Sequence, residues 1–131
     1  MADDGVHARR GADVRRAVLG DAHVDRAAAA ATAFSAPWQE HVTEHAWGAV
    51  WTRPELDRRT RCLVTIALLA SQHAATELAM HVRAAIGQGV TPTEIREVLL
   101  HTAVYAGAPA ANTAFATAQR VLSELGIEEA S

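Results

Sequence analysis

The chain has 131 residues, half of them apolar and 21% charged, with a formal net charge of −3, which describes one soluble domain, residues 1–131, long enough to bury a core. No apolar run approaches the ~18 residues of a membrane span, no charged-then-apolar leader opens the chain, and neither the charge balance nor the cluster Arg9, Arg10, Arg15 and Arg16 calls for nucleic acid; a cytoplasmic protein is expected. The single cysteine, Cys62, excludes an intrachain disulfide, a CxxC redox pair and a multi-cysteine zinc site. All twelve cationic side chains are arginine, so imine chemistry on lysine and a pyridoxal-phosphate anchor are excluded. Twelve guanidinium forks remain to match carboxylates, and an acidic small molecule is the expected kind of ligand.

In chain order, residues 1–11 are polar and are expected to fray or to pack on a neighbouring subunit. A short helix should run from about Ala12 to Leu19 and stop at Gly20. Asp21 can cap a second helix through the alanine run to about Ala33. Ser35 and Pro37 open a third, to about Val50, carrying Trp38, His41, His45 and Trp47. Pro54 disfavours helix at Arg53, so Trp51 to Leu56 is a connection. Asp57 caps a fourth helix to about Gln72, apolar on nearly every side from Leu63 except at Thr65, as expected of the centre of a fold. The fifth, about Thr76 to Ile86, ends in Gly87-Gln88-Gly89. Thr91-Pro92-Thr93-Glu94 is a capping box with proline in the first turn, and it opens a sixth helix carrying Ile95, Val98, Leu99, Thr102 and Ala106 on one face. After Gly107-Ala108-Pro109 a last helix places Ala111, Ala114, Phe115, Ala118, Leu122 and Leu125 at helical spacing and stops at Gly126, leaving 127–131 frayed. No strand signal competes, so the fold class is an all-α, single-domain bundle of about six or seven helices.

One pair of side chains carries chemistry by spacing alone. Glu77 and His81, four apart within a helical pattern, share a face. A carboxylate beside an imidazole can hold and hand on a proton near neutral pH; the competing reading is a solvated salt bridge. His41 and His45 have the spacing of a two-histidine metal site, yet Glu44 is the nearby carboxylate and no H-E-x-x-H arrangement exists, so no metal is expected. His7, His23, His73 and His101 read as structural or exposed, and Cys62 as a small buried hydrophobe.

The run Val14 to Asp25, then His45-Ala46-Trp47-Gly48, Trp51-Thr52-Arg53-Pro54, Arg58 to Arg61, Glu77-Leu78 with His81, and Ala103 to Gly107 with Pro109 to Asn112 resemble the carboxymuconolactone decarboxylase family in order and over about Val14 to Gly126. The wider superfamily holds alkylhydroperoxidase-D-like proteins with a C-x-x-C-x-x-x-H helix. Laid on that pattern His81 keeps the histidine, but Ala74 and Glu77 stand at the two cysteines and Cys62 falls where the redox branch keeps a relay glutamate, so the thiol chemistry is gone.

The resemblance implies a homotrimer or homohexamer that decarboxylates 4-carboxymuconolactone without a cofactor, in the protocatechuate branch of the β-ketoadipate pathway. It also implies roles. His81 is the expected proton donor, with Glu77 setting its tautomer, although either residue can deliver the proton. Arg53, on a loop that proline extends, is the expected carboxylate clamp, its alternative being a surface arginine. Trp47 and Trp51 wall the substrate or pack in the core or an interface. His45, Arg61 and Tyr105 complete the substrate-side candidates. Two other readings stay open: a paralogue acting on another lactone, and a non-catalytic oligomeric binding protein.

Overall fold

In the computed structural model, which describes residues 4–127, seven α-helices and one π-helix occur among the described residues and no strand does. The α-helices are α1 (Asp4–Leu19), α2 (Asp21–Ala30), α3 (Ala36–Val42), α4 (Arg58–Ser71), α5 (Ala75–Gly87), α6 (Pro92–Ala106) and α7 (Ala108–Glu124); the π-helix, Thr43–Trp51, continues α3. They fall into two compact units, one ending at Asp57 and the other starting at Arg58. No helix among the described residues is long and apolar enough to cross a membrane.

In the first unit, the expected fraying of residues 1–11 is corrected: α1 begins at Asp4, and only residues 1–3 lie outside the described chain. The reason is a crossing of two backbones. Gly11 is buried, and a Cβ there would stand 2.1 Å from the Thr43 carbonyl oxygen; one on Gly48 would stand 2.3 Å from that of His7. Only hydrogen fits on either α-carbon. The upstream turn is also held, because His7 Nδ1 lies 3.2 Å from the Gly48 oxygen, to which the Thr52 hydroxyl donates at 2.6 Å. A π-helix has a wider turn than an α-helix and commonly marks functional segments; here the widened stretch is the one α1 crosses. The alanine helix α2 ends three residues before the expected Ala33. There the Thr32 N–H donates to Ser35 Oγ at 2.9 Å and the Ser35 N–H returns to Thr32 Oγ1 at 3.2 Å, a local turn that wins over helix propensity.

The second unit is held by side chains. Ile66, Leu78, Val82, Ile95, Leu99 and Val121 are each at most 1% exposed, each burial favouring the folded state by about 1.5–3 kcal/mol. The capping box forms: Thr91 Oγ1 accepts from the Glu94 N–H at 3.1 Å, and the Thr91 N–H donates to Glu94 Oε1 at 3.0 Å. Glu94 also pairs with Arg59 of α4. The expectation that α4 is buried nearly all round is corrected, since Cys62, Ile66 and Ala70 face inward while Val64 and Leu68 are 47% and 53% exposed. At the end of α7, Gly126 takes a φ of 70° and the Ile127 N–H donates to the Leu122 oxygen at 2.9 Å. Ile127, expected to fray, is thus tied back by a left-handed cap, and 128–131 lie outside the described residues.

Candidate active site

The α5 helix carries both Glu77 and His81, the pair singled out by spacing. Ala74 precedes it without a side-chain cap, and Glu77 is the acidic group of its first turn, where a carboxylate also offsets the positive end of the helix. One turn on, His81 is 9% exposed and belongs to the buried face with Leu78, Val82 and Ala85, whereas Glu77 is exposed. The imidazole therefore sits at the edge of an apolar core, one helical turn from an exposed carboxylate-bearing residue.

The other candidates distribute over both units. On the π-helix, Trp47 is 5% exposed, and its ring centroid lies 4.7 Å from that of half-buried Trp51, tilted by 36°. The two form one aromatic slab. His45 is on the exposed side, its ring 4.5 Å from His41, and Trp38 extends the stack at 6.0 Å. Arg53 follows in the connection, 61% exposed, with Glu55 Oε1 at 3.8 Å from its guanidinium. In the second unit Arg61 is half-buried on α4, while Tyr105 on α6 is 81% exposed with its ring 5.3 Å from His101.

One neighbour was missed from sequence: Glu55 beside Arg53. His101 and Tyr105, four apart on one face of the sixth helix by sequence, do meet there. Glu55 is a carboxylate of the chain itself beside the expected carboxylate clamp. At this distance in water the pair is weak.

Two further features bear on chemistry. Cys62 is fully buried, and burial pushes its thiol up to about 11, so it stays protonated and unreactive at neutral pH. Among the described residues no group of three or more His, Cys, Asp and Glu side chains is placed to hold a metal ion.

Residues 36–120 match the Carboxymuconolactone decarboxylase family. The chain is 45% identical over 126 residues to the nitrosuccinic acid decarboxylase npaB of Metarhizium robertsii, covering 94% of this chain and 88% of that protein. It is 44% identical over 119 residues to a 4-carboxymuconolactone decarboxylase of Acinetobacter baylyi, covering 91% and 89%. A Pseudomonas putida 4-carboxymuconolactone decarboxylase is 55% identical over 38 residues, 29% of this chain and 79% of that sequence.

Proposed function

The chain belongs to the carboxymuconolactone decarboxylase family, and on that premise we propose that it is a carboxy-lyase converting 4-carboxymuconolactone to β-ketoadipate enol-lactone and CO₂, in the protocatechuate branch of the β-ketoadipate pathway. The observation that carries this reading is the 44% identity along nearly the whole chain to a decarboxylase of that substrate.

The chemistry asks little of the protein. The substrate holds a carboxylate on the γ-carbon of an unsaturated lactone, so the electron pair left by CO₂ spreads through the ring to the lactone carbonyl oxygen. The residues then hold the retained acetate, stabilise that oxygen, and deliver one proton to the α-carbon. His81 is the proton donor in this reading, with Glu77 orienting it and relaying the next proton from solvent. Arg53 grips a carboxylate as a bidentate fork, exchanging Glu55 for the ligand. Trp47 and Trp51 exclude water from the leaving carboxylate, and His45, Arg61 and Tyr105 are secondary substrate contacts. No cofactor takes part, because the substrate's own conjugation accepts the electrons. The enzyme works in the cytoplasm as a homotrimer or homohexamer. Phe34, Trp38, Val104 and Tyr105, 63% to 96% exposed, are more large apolar surface than a small monomer normally leaves in water.

A second reading has its own support in the 45% identity to a nitrosuccinic acid decarboxylase. A nitro group next to the departing carboxylate accepts the electron pair on oxygen as a lactone carbonyl does. Carbon then takes up a proton, so the same donor serves both substrates.

An ultraviolet assay with authentic 4-carboxymuconolactone, run beside nitrosuccinate, decides between them. Loss of the lactone signal with enol-lactone formed, and one deuteron at its α-carbon in deuterated water, is the expected result. Turnover of nitrosuccinate alone selects the second reading, and turnover of neither removes the decarboxylase proposal.

A further inference from the structure

The second unit contains a cleft of about 300 Å³ between α6 and α7, and no residue of α5 lines it. We propose that this cleft is a binding site for a small monocarboxylate with an apolar body, separate from the Glu77–His81 pair and independent of the function assigned to it.

The floor is apolar and closed. Ile95 and Leu99 are 1% exposed and Leu122 is 6% exposed, and the half-buried Phe115 ring lines the same cleft. The space exists because α7 presents the single methyl of Ala118 to this cleft, where a larger side chain would fill it. Such a floor excludes water poorly bound to apolar walls and takes a hydrocarbon body. The volume lies at the small end of small-molecule sites, suited to one ring or a short branched chain.

The rim supplies the polar end. Arg96 is the one charged side chain among the residues lining the cleft, and Gln119 and Thr93 add uncharged hydrogen-bonding groups. Arg96 Nε donates to Glu97 Oε2 at 3.1 Å, but the two are chain neighbours and 53% and 61% exposed, so that pair holds the guanidinium only weakly. Its terminal nitrogens are the part of the fork that matches a carboxylate. One cation above an apolar floor selects a single negative charge on a hydrophobic body. A phosphate or a dicarboxylate would need a second cation here, and a neutral hydrocarbon would leave the fork unused.

Phenylacetate is the probe. Titrated into the full chain and followed by amide chemical shifts, it should bind saturably with a Kd of about 1 mM or tighter, the scale for a ligand of its size. Shifts should concentrate on α6 and α7. Arg96→Ala should weaken binding about tenfold or more, as loss of a charge-assisted hydrogen bond does. Benzyl alcohol should bind weaker by a similar factor, Ala118→Leu should abolish binding by filling the floor, and His81→Ala should leave it unchanged. Should Ala118→Leu not fold, exposed Arg96→Ala decides alone. The proposal is overturned by absence of saturation up to about 10 mM, by shifts confined to α4 and α5, or by affinity unchanged in Arg96→Ala.

Discussion

The two units of this chain are stabilised by opposite means. In the first, backbone meets backbone where Gly11 and Gly48 cross, and few apolar side chains are buried: Val14, Val18, Val24 and Trp47, while Phe34 is 96% exposed. In the second, large aliphatic side chains interlock and the small residues of α7 let them close. A unit built on missing side chains is sensitive to addition, and a unit built on present ones to deletion. The proposed chemistry is divided between the same two units. The proposed donor His81 lies in the second unit, as do Arg61 and Tyr105, whereas the proposed clamp Arg53, the Trp47–Trp51 pair and His45 lie on and after the π-helix.

Exchanging the two histidines tests that division most sharply. His81→Ala should lower kcat about 10²-fold or more, the usual scale for a general acid, whereas His45→Ala, on the exposed side of the π-helix, should change kcat by only a few-fold. Steady-state assays in which His45→Ala abolishes turnover and His81→Ala does not would move the catalytic centre to the first unit.

Stability should respond in mirror image. Leu99→Ala should cost the second unit about 2–5 kcal/mol. Gly11→Ala, a single added methyl, should cost the first about 1–3 kcal/mol by forcing apart atoms that cannot both stay. All three tryptophans lie in the first unit, so their fluorescence in a denaturant titration reads Gly11→Ala, and amide exchange on α5 to α7 reads Leu99→Ala. An unperturbed fluorescence transition in Gly11→Ala would mean that the crossing tolerates bulk.

Binding should be touched without chemistry at Arg53. Lysine keeps the charge and loses the fork, so Arg53→Lys should raise KM several-fold with a smaller fall in kcat. Identical kinetics would return Arg53 to an exposed partner of Glu55.

The smallest effect is a difference in acid response. Burial, then Arg15 and Arg26, holds His23 below its ordinary 6.5. The unfolded chain takes up that proton first, so stability of the first unit declines as pH falls from about 6.5 through the folded value. In the second unit the Thr91 backbone N–H, then Arg59, hold Glu94 below its ordinary 4.5. Its contribution is present above that pH and lost as pH falls through the lower folded value. His23→Gln should flatten the first slope and Glu94→Gln the second. Melting curves by fluorescence and by amide exchange between pH 7 and 3 would expose equal slopes if the assignments are mistaken.

Local chemistry was legible in the residues alone. The Thr91–Glu94 box starts α6, and Gly20, Gly107 and Gly126 bound helices at positive φ, because caps and left-handed turns depend on neighbours within a few positions. The Glu77–His81 spacing was equally readable, since a helix makes it local. Packing decided the rest. Nothing near Thr43 announces a π-helix, which accompanies contact with Gly11 far upstream, and that same contact extends α1 back to Asp4. Likewise α4 looked apolar all round, yet a bundle helix can turn only part of its circumference to its neighbours, which leaves Val64 and Leu68 outside. Burial of His81 beside an exposed Glu77, and the cleft opposite Ala118, are properties of helices meeting, so no window of sequence contains them.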